Sequence, residues 1–166
     1  MNKEEFLKKL EVELKISKNS KYTLKNYVSA NKSLLNHANK NPDEINEDDV
    51  KLYMSENLTD QSPSSIILFL SAIKYSYTYL LGKDITAKVR RPKKDKHIPT
   101  VLTKEEVKKL LDSTFSEKSK LMLSLLYSCG LRVSELTNLK IANLDFNELT
   151  GNLKKAKGRK DRIFNI

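Results

Sequence analysis

A chain of 166 residues with 39% hydrophobic content is long enough for one ordinary domain or two small ones, and only four glycines and four prolines favour helix. A net charge of +10 calls for a polyanionic partner, and nucleic acid fits better than a membrane because no segment sets a basic face against Trp, Phe and Leu. One cysteine, Cys129, excludes an internal disulfide, and with only His37 and His97 there is no cluster with metal-ligand spacing, so neither a metal nor another cofactor is expected.

From the start, Met1 to Leu10 alternates charged and apolar residues and is not a signal peptide. No apolar run approaches the roughly 20 residues that span a bilayer, and a cytoplasmic protein is expected. Ser20 to His37 reads as the first main helix, with Leu24, Tyr27, Val28, Leu34 and Leu35 at helical spacing and Ser20 or Thr23 near its N-terminal end. Asn41-Pro42-Asp43 breaks it. Asn46 with Asp49 then caps a second helix over Glu47 to Asn57, with Val50, Leu52, Tyr53 and Met54 facing inward. Ser64 to Leu81 is again helical, its Ile66, Ile67, Phe69, Leu70, Ile73, Tyr77 and Leu80 closing a small bundle before Gly82. Tyr75, Tyr77 and Tyr79 alternate, so they cannot share one helical face; most are expected to pack rather than to stack on bases.

Arg90 to Pro99 combines a cationic run with two prolines that resist helix. It reads as an interdomain linker whose Arg90, Arg91, Lys93, Lys94 and Lys96 would track a phosphate backbone. His97 lacks the positioned partner that acid–base work requires. The division is then residues 1–91, a linker over 92–102, and a second domain over 103–166.

Thr103 and Glu106 form a capping box that opens the second domain, with Val107, Leu110 and Leu111 inward. A further helix starts at Ser116 to Glu117 and is apolar on nearly every side through Leu121, Met122, Leu123, Leu125, Leu126 and Tyr127, as a helix buried on most of its circumference would be. Gly130 ends it in a left-handed turn, and Arg132 stands at the start of a second short helix. Ile141, Leu144 and Phe146 suggest a short extended segment and Asn147 to Gly151 a turn. Leu153 to Ile166 reads as two strands joined at Lys157-Gly158-Arg159-Lys160.

Spacing alone pairs Arg132 with Glu135 one turn later, an ordinary surface contact worth a few tenths of a kcal/mol. Context changes that reading. Gly-Leu-Arg-Val-Ser-Glu-Leu from Gly130, with Lys-Gly-Arg-Lys-Asp-Arg from Lys157 downstream, closely resembles the first active-site box of tyrosine recombinases, the phage-integrase and Xer family. Ser-Lys-Tyr-Thr-Leu-Lys-Asn-Tyr from Ser20 and Ser-Ala-Ile-Lys-Tyr-Ser-Tyr from Ser71 look like that family's core-binding, SAM-like helical domain. The implied architecture is mainly α: a helical DNA-binding bundle, then the start of an α+β catalytic domain with a small β-hairpin.

Phosphodiester exchange without metal needs fixed cations for the charge growing on the non-bridging oxygens and a proton for the leaving oxygen. Arg132 suits the first task, and Lys157 the second if neighbouring guanidinium groups lower its pKa. The resemblance implies the same roles: first arginine and hairpin general acid. It also places Lys25, Lys74, Arg159 and Lys160 among DNA-facing cations, although Leu68 stands where many members carry another basic residue. Double-stranded DNA is the implied partner, with homo-oligomers, tetramers on paired sites, in the full-length protein. The family's later boxes and nucleophilic tyrosine would lie beyond the hairpin, and no tyrosine stands after Tyr127. The expectation is the N-terminal part of a strand-exchange enzyme, inert alone. The alternatives are a helix-turn-helix regulator, which would need a recognition helix after Leu139, and a truncated-integrase accessory factor.

Overall fold

The computed structural model describes residues 1–93, 98–153 and 161–166. Over these the chain is mainly helical, with one small antiparallel sheet, and it divides into two units, Met1–His97 and Ile98–Ile166.

Unit 1 holds four α-helices: α1 (Lys3–Ile16), α2 (Lys21–Ala38), α3 (Glu47–Asn57) and α4 (Pro63–Leu81), with a 3-10 turn at Pro42–Glu44. Side-chain caps set their starts. Asn2 Oδ1 accepts from the Glu5 amide at 2.7 Å and Ser20 Oγ from the Thr23 amide at 3.0 Å. Asn46 Oδ1 accepts from the Asp49 amide at 3.1 Å while Asp49 Oδ2 accepts from the Asn46 amide at 3.0 Å, a reciprocal box. Left-handed residues, Asn39 at φ 50° and Gly82 at φ 65°, end α2 and α4.

Helix α1 is absent from the sequence reading. Phe6, Leu10 and Leu14, four residues apart, are fully buried, and the intervening charges that look like alternation form its wet face. Two pairs run along that face, Lys9 to Glu5 at 2.8 Å and Lys15 to Glu11 at 2.6 Å. The expectation that no apolar run nears membrane-spanning length is also corrected. Helix α4 has 19 residues with Lys74 as its sole charge, and is long and apolar enough by length and composition to cross a bilayer. Its Phe69, Leu70, Ala72, Ile73, Ser76 and Tyr77 are buried and it packs on α1 and α2, the burial pattern of a core helix.

The core of unit 1 joins Phe6, Leu34, Leu35, Ile45, Val50, Ile73 and Tyr77, with Tyr53 stacked on Phe69 at 5.0 Å and Phe6 tilted against Tyr77 at 5.3 Å. Burial pushes the Tyr77 phenol far above its ordinary range. Asn31, also buried, donates to Ser76 Oγ at 2.7 Å and to the Tyr27 carbonyl at 2.8 Å, tying α2 to α4 by a polar contact inside the core.

Unit 2 begins with α5 (Lys104–Asp112), opened by the Thr103–Glu106 box in which Glu106 Oε2 accepts from the Thr103 amide at 2.7 Å. Helices α6 (Glu117–Cys129) and α7 (Val133–Thr137) come next, then a 3-10 turn at Ile141–Asn143 and three strands, β1 (Leu144–Asp145), β2 (Thr150–Leu153) and β3 (Arg162–Asn165), paired antiparallel in that order. Two expectations fail here. Neither α5 nor α6 buries a residue completely; Leu110, Leu121 and Tyr127 are exposed, because the described residues offer these helices a partner on one side. The turn before β2 ends earlier than the sequence suggests. Asp145 Oδ1 accepts from the Asn147 and Glu148 amides at 3.0 and 3.1 Å, and Leu149 turns left-handed at φ 51°. Gly151 therefore lies within β2, opposite Phe164. A Cβ there would collide with the Phe164 ring, so this glycine is required by close approach and not by a turn.

Candidate functional site

The α6–α7 corner rests on a small core in which Leu131, Leu136, Leu153 and Phe164 are buried, with Met122, Leu125 and Leu126 of α6 packed against them. Gly130, at φ 58°, reverses the chain between the helices, and no atom lies within 4 Å of where its Cβ would be. The constraint is backbone conformation alone. Arg132 is the N-cap residue of α7, with extended backbone at φ −78° and ψ 152°.

Its partner in sequence spacing is also its partner in space. Arg132 Nη1 donates to Glu135 Oε1 at 2.7 Å, and the Arg132 backbone amide donates to Glu135 Oε2 at 2.8 Å. The pair is not the ordinary surface contact that spacing implies, because the Glu135 side chain is only 6% exposed and is shared with a second guanidinium. Arg162 Nη2, from β3, donates to Glu135 Oε2 at 3.1 Å and to the Gly130 carbonyl at 3.3 Å. The Arg132 backbone amide, and after it the guanidinium, holds the Glu135 carboxyl below the usual carboxylate range, with Arg162 adding to this. Two guanidinium groups facing one carboxylate leave the corner net positive, and the Arg132 side chain stays 56% exposed. Such a corner can offer a fixed, planar pair of donors to an approaching phosphate.

Arg162 is the member of this cluster that the sequence reading leaves out, and Glu135 enters that reading only as a surface partner of Arg132. The sequence does not mark Arg162, because Ile163 and Phe164 are both apolar; the pairing of β3 turns Ile163 outward and Phe164 inward, and residue 162 shares the inward face with Phe164. Lys157, Arg159 and Lys160 lie outside the described residues, as do Lys94 and Lys96. Strands β2 and β3 pair from Thr150 with Asn165 to Leu153 with Arg162, on either side of that hairpin segment in sequence. Beyond α7 the chain forms a 3-10 turn and this sheet; among the described residues no recognition helix stands after Leu139.

The cations of unit 1 differ in availability. Lys25 is exposed on α2, and Arg90, Arg91 and Lys93 are exposed beyond α4. Lys74 is tied to Asp84 at 2.7 Å. The Lys74 ammonium first, and the Thr86 hydroxyl second, bring the Asp84 carboxyl down to about 2. The tyrosines of α4 also divide: Tyr77 is in the core, whereas Tyr75 and Tyr79, one turn apart, share the opposite side and Tyr79 is 66% exposed.

Comparison with known proteins bears on both units. The family model described as "Phage integrase, N-terminal SAM-like domain" matches residues 6–87, and "Phage integrase family" matches residues 100–166. A tyrosine recombinase of Pseudothermotoga lettingae is 37% identical over 116 residues, 66% of this chain and 41% of the relative. The tyrosine recombinase XerA of Pyrococcus horikoshii is 43% identical over 103 residues, 61% of this chain and 36% of the relative. These matches span about two-fifths of the relatives' length. Among solved structures, a lambda integrase dimer bound to a COC' core site aligns over 99% of this chain and 49% of that one with a TM-score of 0.80, and its 17% identity makes this a likeness of fold. With one family model on the helical bundle, a second on the Arg132 corner and sheet, and recombinases of two organisms aligned to it, the chain belongs to the tyrosine recombinase, or phage integrase, family.

Proposed function

We propose that the chain forms the DNA-binding N-terminal part of a site-specific tyrosine recombinase that integrates or exchanges DNA through a phosphotyrosyl intermediate. In this reading residues 1–91 form the core-binding domain, 92–102 a basic linker, and 103–166 the start of the catalytic domain. The observation that carries it is the Arg132–Glu135–Arg162 cluster, a buried carboxylate that holds one guanidinium at a rigid helix corner with part of its surface open. Arg132 would bind the non-bridging oxygens of the scissile phosphate, and Lys157 would protonate the leaving oxygen. Lys25, Arg90, Arg91, Lys93, Lys94, Lys96, Arg159 and Lys160 would meet phosphates, and Lys74 would do so once released from Asp84. Double-stranded DNA is the partner, approached in the cytoplasm, and the complete protein would act as a tetramer on paired sites. Sheet β1–β3 after α7 favours this reading over a helix-turn-helix regulator.

The experiment completes the chain with the C-terminal portion of the Pseudothermotoga lettingae recombinase and measures covalent capture on a nicked substrate. Arg132→Lys keeps the charge but loses the planar fork. Cleavage should fall about 100- to 1000-fold while the Kd for DNA, spread over many cations, holds. The 166-residue chain alone should form no adduct. Normal cleavage by Arg132→Lys would return Arg132 to the role of a helix-capping partner of Glu135.

A further inference from the structure

Tyr27, Ser71, Lys74, Tyr75, Thr78, Tyr79 and Arg91 line a cleft of about 360 Å³ on unit 1, outside the Arg132 corner. Its aromatic wall is pre-arranged. Tyr75 and Tyr79 are one turn apart on α4, with ring centroids 4.6 Å from each other and planes tilted by 39°. Tyr27 of α2 meets Tyr75 edge-on at 5.6 Å, and the Tyr75 hydroxyl lies 3.3 Å from Ser17 Oγ, which fixes that ring from the C-terminal end of α1. Tyr79 caps the group and keeps 66% of its surface exposed. An exposed aromatic already held against a second ring stacks on a further ring without the cost of ordering its side chain.

The charge of the cleft narrows the occupant. Arg91 makes no ion pair among the described residues, whereas Lys74 is held by Asp84, so the open positive charge is mainly that of Arg91. The Thr78 hydroxyl, exposed on the same helix as the two tyrosines, can donate to or accept from a ring edge. An aromatic wall beside a free guanidinium suits a planar ring that carries an anion, and on a DNA-binding chain that is a nucleotide. A paired duplex shows base edges in its grooves and keeps base faces stacked, so a tyrosine face can meet only a base that has left the stack. The volume is in the range that takes one small ligand.

We infer that the Tyr27–Tyr75–Tyr79 cleft of unit 1 receives one unstacked DNA nucleotide, its base on Tyr79 and its phosphate at Arg91. This rests on the DNA-binding reading and adds to it a preference for DNA with an unpaired base. The test is fluorescence anisotropy of the 166-residue chain with three duplexes of equal length: fully paired, with one bulged thymidine, and with one bulged abasic residue. The last two share backbone and flexibility and differ only in the base.

The bulged thymidine should bind roughly tenfold more tightly than the abasic bulge. Tyr79→Leu should abolish that difference and Tyr79→Phe should keep it, while all three proteins bind the paired duplex alike and melt at the same temperature. Equal affinity for the two bulges, with the paired duplex still bound, overturns the cleft alone, as does a Tyr79→Leu that weakens all three duplexes equally. Absence of binding to every duplex overturns the DNA-binding reading and the cleft with it.

Discussion

Glu135 decides what Arg132 is able to do, because a guanidinium on a free stem samples many positions while one bonded to a buried carboxylate holds its outer edge in place. Carboxylates of this kind also set a pH dependence. Asp84 in unit 1 is the clearer case, its folded value near 2 against an ordinary 3.8. The folded state binds the proton less readily than the unfolded one, so the Asp84–Lys74–Thr86 contact stabilises fully above about pH 4 and is lost as pH falls through 3.8 toward 2. Glu135 has the same sign, its contribution present above its ordinary value of 4.5 and lost on further acidification. Asp84→Asn should therefore melt at a lower temperature than the parent near pH 6, and the gap should close toward about pH 2. A gap independent of pH would show that Asp84 acts through packing and not through its charge.

At the scale of elements, the positions legible in sequence are those whose cause lies within a few residues. The Thr103–Glu106 box, the Asn46 cap, the helix end at Gly82 and the left-handed Gly130 each answer to local backbone chemistry, and each stands where the sequence places it. The features that escape are set by distant neighbours. Helix α1 looks like mixed charge until α2 and α4 supply the surface for Phe6, Leu10 and Leu14. Gly151 resembles a turn residue until Phe164 arrives over it, and Arg162 resembles one more surface cation until β3 brings it to Glu135.

The same contrast separates two glycine substitutions in unit 2. Gly130→Ala meets no atom and should cost about 1–2 kcal/mol from its left-handed backbone alone. Gly151→Ala forces the Phe164 ring aside and should cost about 1–3 kcal/mol by overpacking. Adding Phe164→Leu should recover part of the second loss and none of the first in denaturant melts. Equal rescue of both would contradict the close-approach account of Gly151.

For the whole molecule, the excess of positive charge is the property that composition announces and the fold distributes. Lys25 lies on α2, Arg90, Arg91 and Lys93 beyond α4, and Arg132 at the corner of unit 2, all with exposed side chains. Binding to duplex DNA should then be carried by many phosphate contacts, each releasing condensed counterions, with sequence preference a smaller addition. The most direct measurement is the Kd of the 166-residue chain for duplex DNA at salt concentrations from about 50 to 200 mM. With about six or more phosphates neutralised, affinity should fall by roughly 1000-fold or more across that range, linearly in log Kd against log salt. An affinity that barely changes with salt would mean that the lysines and arginines serve solubility, and would contradict the proposal that this chain is the DNA-holding part of a recombinase.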